Sequence, residues 1–205
     1  LSEVIVLGAL PSQVECEQFH DDVFLYRAVV PWGQDLIDEA ERALLWNRSS
    51  QVNAYGKSSF KTENRSSCST MISKSACSIW WPFEQQLLTA FHSCIRDYVG
   101  RNSFLQVNKT SPFELLRYKP GQRFGHHIDA VAGRHEGLRQ LSCLLFVNDE
   151  YEGGELDLPR QSLRIKGRAG DILLFPSNFC FPHASLPVLS GTKYAVVSWA
   201  VALAG

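Results

Sequence analysis

No uninterrupted apolar stretch in the 205-residue sequence reaches the ~18 residues that a membrane-crossing helix needs, and no basic-then-apolar leader opens it. A membrane partner is therefore not expected, although the sequence begins at Leu1 rather than Met and says nothing about what lies upstream. An excess of one charge is missing too. Twenty Lys and Arg face twenty-one Asp and Glu, for a net charge of −1, which removes the electrostatic ground for nucleic acid or anionic lipid as the main partner. The six cysteines, at 16, 68, 77, 94, 143 and 180, are scattered and form no Cys-x-x-Cys pair, so neither a disulfide framework nor a zinc-finger spacing is present. That usage leads us to expect a reducing, cytoplasmic setting. Three Asn-x-Ser/Thr triplets, at Asn47, Asn64 and Asn108, point the other way and keep a secretory compartment as the alternative. Internal repeats and low-complexity tracts are also lacking.

What is present is enough apolar material for one buried core. With 45% hydrophobic residues over this length, we expect a single domain spanning 1–205. Residues 1–108 would supply helices, loops and edge strands, and 109–205 the β-rich core. VIVLGAL and DVFLYRAVV near the start read as a short strand and an edge strand, separated by PSQVECEQFHD. From Gly33 to Trp46, Leu36, Ile37, Ala40, Ala43 and Leu44 recur at helical spacing on one side. Asn47 to Ser78 is rich in polar residues and reads as loops with short strands. Pro82 is placed to open a second helix whose apolar stripe, Phe83, Leu87, Leu88, Phe91, Cys94, Ile95 and Tyr98, ends near Gly100. After Asn108 come eight short β-prone runs: PFELLRY, HHIDA, QLSCLLFVN, ELDLP, SLRIK, DILLFP, FCFPHA and KYAVVSWAVA. Such regular breaks predict a double-stranded β-helix, or jelly roll, with two helices on one outer face: an α+β, mainly β, domain.

The chemistry concentrates in RYKPGQRFGHHID, Arg117 to Asp129. His127 and Asp129 are two apart, so on an extended strand their side chains leave by the same face. One imidazole, one carboxylate and a second imidazole from far along the chain compose the facial triad of a non-heme Fe(II) oxygenase, which leaves coordination positions open. His183 is the candidate third ligand. His126 points to the opposite face and is read as a non-ligand, while His135 lies in the following GRHEG loop.

Together with their order, these residues resemble the prolyl 4-hydroxylase branch of the Fe(II)/2-oxoglutarate dioxygenases. Tyr118, Gly121, Gln122, Phe124, His127 and Asp129 fit the family's lead-in to its His-x-Asp pair without a gap. Val147-Asn148, Gly153-Gly154-Glu155, Gly170-Asp171, His183 and Pro187 to Lys193 fit its later pattern, and the likeness covers about the last ninety residues. The resemblance implies Fe(II) on His127, Asp129 and His183, with 2-oxoglutarate and O2 as co-substrates and ascorbate as reductant. Lys193 would pair with the distal carboxylate of 2-oxoglutarate. Phe146 and Leu156 stand where the family often has a tyrosine and a threonine, so the pocket is expected to be less polar, and Ser142, Ser198 and Tyr118 are the candidates for the missing hydroxyl. Arg139 and Trp199 match positions that contact substrate in peptide-hydroxylating relatives. Glu63 to Ile72 is loosely similar to the family's Arg-x-Ser strand. The implied activity is hydroxylation of an unactivated C–H, on a prolyl or other residue of a peptide or protein, with 2-oxoglutarate decarboxylated to succinate. The alternatives are the same chemistry on a free amino acid or other small molecule, and a non-catalytic jelly-roll binding module.

Overall fold

The computed structural model describes residues 14–49, 51–52, 58–59, 64–130, 132–133 and 137–202. The expected first strand, VIVLGAL, the start of the Glu63–Ile72 stretch and the His135 loop lie outside the described residues.

Its backbone is a large antiparallel sheet facing a small one. The elements are β1 (Cys16–His20), β2 (Val23–Tyr26), α1 (Gly33–Ala43), β3 (Cys68–Ile72), α2 (Trp81–Arg101), β4 (Phe113–Tyr118), β5 (Phe124–His127), β6 (Gly137–Phe146), β7 (Tyr151–Gly153), β8 (Leu156–Leu158), β9 (Leu163–Ile165), β10 (Ile172–Pro176), β11 (His183–Ser185), β12 (Val188–Gly191) and β13 (Lys193–Ala202). The large sheet runs β1-β2-β10-β6-β13-β4-β3, with the two-residue strand Asn47–Arg48 beyond β3; the small sheet runs β9-β8-β11-β5, and β7 pairs with β12. Each of the eight runs after Asn108 overlaps one of these strands.

Alternation along the long strands separates two interiors. On β6, Leu141, Cys143 and Leu145 join the cluster that packs on the helices, whereas Leu144 and Phe146 join the cluster between the sheets. Ser142 has the parity of the second set. On β13, Val196 and Ala200 go to the helices and Ala195 to the inter-sheet space. Lys193, Val197 and Trp199 share the parity of Ala195, so the pleat directs them toward the small sheet.

The helices cover the other face of the large sheet. Leu36, Ile37 and Ala40 of α1, and Leu87, Phe91, Cys94, Ile95 and Tyr98 of α2, are buried there. Asp35 and Glu84 in the first turns, with Arg42 and Arg101 in the last, match the polarity of the two helix dipoles. Two details differ from expectation. Leu44 is not on the apolar face: it takes a left-handed conformation, φ 52°, as the chain leaves α1, and its side chain is 76% exposed. The edge of the large sheet is β1 rather than DVFLYRAVV, because CEQFH, read as part of a separator, pairs with β2, and β2 pairs in turn with β10. The short strands expected in the polar Asn47–Ser78 region include β3, which pairs with β4 along five residues.

Candidate metal centre and co-substrate pocket

Strand register brings the distant residues together. His183 of β11 lies opposite His127 of β5, Lys193 of β13 opposite Tyr118 of β4, and Ser142 of β6 opposite Trp199 of β13. Asp129 falls just past the end of β5, where the Ala130 N–H donating to the Ser177 carbonyl at 2.8 Å ties the segment to the neighbouring loop. The His-x-Asp geometry is thus held half by a strand and half by that tie.

His127, Asp129 and His183 each offer a ligand atom, all within 4.8 Å of one another, and they are the one such group among the described residues. His127 Nε2 is 3.4 Å from Asp129 Oδ1, and His183 Nε2 is 3.4 Å from Asp129 Oδ2. The Nδ1 atoms settle the tautomers. His127 Nδ1 lies 2.9 Å from the Gly125 carbonyl and His183 Nδ1 3.1 Å from the Phe181 carbonyl. A carbonyl only accepts, so each Nδ1 carries the proton and each neutral ring turns an Nε2 lone pair toward a carboxylate oxygen. Lone pairs facing an anion at that range call for a cation between them. Donors bound at about 2.1 Å and near-right angles stand roughly 3.0–3.4 Å apart, so a single metal ion fits the spacing. Burial lowers the His183 imidazole below its usual value despite the pull of Asp129, which favours the neutral base that a metal requires. The Asp129 carboxylate also accepts a hydrogen bond from the Trp199 indole.

Asp129 is also positioned from behind. The Ser142 hydroxyl donates to Asp129 Oδ2 at 2.7 Å and lies 2.9 Å from the Ser177 hydroxyl. Ser142, expected as a co-substrate contact, therefore has its hydroxyl proton engaged on the carboxylate. Ser198 is turned to the opposite side of β13 from Lys193 and donates to the Ser111 carbonyl at 2.8 Å. His126 is exposed and pairs with Asp157 at 3.0 Å, on the far side of the strand from His127.

The cavity that contains the three ligand side chains also reaches Lys193. Leu144, Leu156, Phe175 and Val197 contribute apolar wall. Phe146 and Leu156 are buried in the inter-sheet cluster, so the two positions that lack a family hydroxyl are filled with hydrocarbon. Lys193 is 2% exposed; its Nζ donates to the Gly154 carbonyl at 2.6 Å and to Ser185 Oγ at 2.9 Å, and stands 5.3 Å from the Tyr118 ring centroid. Trp199 lines the cavity, and the Arg139 guanidinium stacks 3.6 Å over its ring. Sequence reasoning did not single out Ser177, Ser185 or Arg65. Ser185 had a signal: it follows His183 by two residues and shares its strand face. Arg65 lies in the Arg-x-Ser stretch; it is buried, lines the cavity and sits 4.7 Å over the Phe124 ring.

Comparison with known proteins agrees with this geometry. Residues 113–201 match the model of the 2OG-Fe(II) oxygenase superfamily. A PKHD-type hydroxylase of Pseudoalteromonas atlantica is 35% identical over 120 residues, which cover 53% of this chain and 52% of the relative. The chain spans about half the length of the relatives it matches in this way. Two solved structures share the fold: a prolyl-4-hydroxylase of Pseudomonas putida, with a TM-score of 0.63 and 19% identity over 90% of this chain and 94% of that one, and a prolyl hydroxylase of Trichoplax adhaerens in complex with a hypoxia inducible factor peptide fragment, with a TM-score of 0.67 and 16% identity over 88% and 84%. The fold is the double-stranded β-helix expected from the strand pattern.

Proposed function

We propose that this protein is an Fe(II)- and 2-oxoglutarate-dependent hydroxylase acting on a prolyl residue of a peptide or protein. The observation that carries the reading is the pair of Nδ1-to-carbonyl hydrogen bonds, which turn two imidazole Nε2 atoms onto one carboxylate inside a cavity that also holds a buried lysine.

His127, Asp129 and His183 would hold ferrous iron, and Lys193 would pair with the distal carboxylate of 2-oxoglutarate. With its co-substrates the iron supplies the power to hydroxylate an unactivated C–H, at the expense of decarboxylating 2-oxoglutarate to succinate. The chain supplies orientation and dryness. Ser142 and Trp199 keep the Asp129 carboxylate in one attitude, the two backbone carbonyls fix the imidazole tautomers, and the apolar walls exclude water from the space between the metal point and Lys193. Trp199, backed by Arg139, offers an indole edge within the same cavity for a substrate ring. A peptide prolyl substrate is supported by the two prolyl hydroxylases that share the fold, one of them in complex with a peptide fragment.

The test is succinate release with Fe(II), ascorbate and 2-oxoglutarate, with proline-containing peptides in one arm and free amino acids in the other. Stimulation by peptides, with a mass gain of one oxygen on proline, is expected. Stimulation by free amino acids alone would transfer the reading to the small-molecule substrate, and no iron-dependent succinate in any arm would end the hydroxylase reading.

A further inference from the structure

Lys193 lies in the cavity wall without an ion-pair partner among the described residues. Both acceptors of its Nζ, the Gly154 carbonyl and Ser185 Oγ, are neutral. An ammonium has three protons, so one donor remains for a ligand. A buried charge in apolar surroundings is costly until an anion completes it. The hydroxyl best placed to share that anion belongs to Ser185. Ser142 is engaged on Asp129, Ser198 on the Ser111 carbonyl, and Phe146 and Leu156 carry no polar atom. Ser185 is 8% exposed, lines the cavity, and touches both Lys193 Nζ and the Tyr118 hydroxyl.

The spacing along β11 adds a ruler. His183 and Ser185 project from one strand face two residues apart, a separation of about 6.6 Å. One end of that interval faces the metal point and the other faces Lys193. A 2-oxo acid chelated at the first end and carrying a second carboxylate on an extended chain, as 2-oxoglutarate does, would direct that carboxylate toward the second.

We propose that the Ser185 hydroxyl, beside the Lys193 ammonium, binds the distal carboxylate of 2-oxoglutarate and thereby selects a co-substrate that carries one. The proposal rests on the 2-oxo-acid reading of the cavity. Lys193 donates to the Ser185 oxygen at 2.9 Å, and the hydroxyl proton of Ser185 can turn to a carboxylate held beside Nζ.

The experiment compares wild type, Ser185→Ala and Ser185→Thr, each loaded with Mn(II) without oxygen, by isothermal titration calorimetry with 2-oxoglutarate and with 2-oxobutyrate, which keeps the chelating group and lacks the distal carboxylate. Ser185→Ala should weaken 2-oxoglutarate binding about tenfold or more, as loss of a hydrogen bond to a charged group does, and leave 2-oxobutyrate within about twofold. Ser185→Thr, which keeps the hydroxyl, should restore most of the affinity. If the alanine variant does not fold, Ser185→Cys, similar in size and a poor hydrogen-bond donor, replaces it with the same expectation. An unchanged 2-oxoglutarate affinity, or equal weakening of both ligands, overturns the role of Ser185. Failure of wild type to bind either 2-oxo acid overturns instead the reading of the cavity on which the role depends.

Discussion

His126 and His127 are adjacent in sequence and opposite in consequence, because a strand sends them to different faces. His127→Ala and Asp129→Ala should each abolish stoichiometric Mn(II) binding and iron-dependent succinate release, whereas His126→Ala, which removes only an exposed contact to Asp157, should leave both within about twofold. Equal losses in all three would shift the ligand assignment. Lys193 gives a prediction in pH. Its apolar surroundings pull the ammonium down to about 7 against the opposing pull of Glu155. The folded value lies below the unfolded 10.5, so the cost of burying the charge is fully present below about pH 7 and fades as pH rises toward 10.5; over that window the unliganded protein gains stability. A bound carboxylate must then recharge the amine. Above about pH 7, 2-oxoglutarate affinity should fall by up to tenfold per pH unit with uptake of a proton, measurable by calorimetry in buffers of different ionisation enthalpy. A flat profile in wild type would mean that the amine is already charged before the ligand arrives. His127, Asp129, His183 and Lys193 could be picked out in the sequence because their types, in that order and spacing, are chemically specific. Ser185 was harder to see: a serine is common, and only the fold shows that its hydroxyl ends on Nζ.

At the scale of elements, β7, β8 and the turn between them carry more of the site than their length suggests. Gly153 and Gly154 have φ of 70° and 67°, and a Cβ on Gly154 would meet Lys193 Cδ at 3.2 Å. Gly154→Ala therefore strains the backbone and presses on the anchor's aliphatic stem together. It should lower the melting temperature and weaken 2-oxoglutarate binding while Mn(II) binding persists; loss of metal binding alone would contradict this division of labour. The strands after Asn108 were legible because each is a short β-prone run bounded by Gly, Pro or Asn, and the helices because their apolar residues recur at the right period. β1 was missed because CEQFH has no apolar alternation; its burial comes from pairing with β2 at the sheet edge. Leu44 was misplaced for a related reason: periodicity continues past Ala43 in the sequence, but the chain reverses there.

Across the whole molecule, the large sheet separates a structural interior from a functional one. Phe91 of α2 is fully buried on the helix side against Phe113, with ring centroids 5.1 Å apart. Phe91→Ala should cost about 3–5 kcal/mol of folding stability in denaturant unfolding and, below its melting temperature, leave metal and 2-oxoglutarate affinities within about twofold. A matching loss of ligand affinity would show that the two interiors are coupled. Which strands face each other could not be read along the chain, since pairing His183 with His127 or Lys193 with Tyr118 is a fact of register between segments more than fifty residues apart.

The central claim is that one metal ion is held by His127, Asp129 and His183 and that 2-oxoglutarate joins it there. Its most direct test is anaerobic titration of the protein with Fe(II) and then 2-oxoglutarate, followed by visible absorption. The account predicts one iron per chain and a charge-transfer band that appears only when both are present and is lost in His183→Ala. A band of undiminished strength in His183→Ala, or no band in wild type with iron bound, would contradict it.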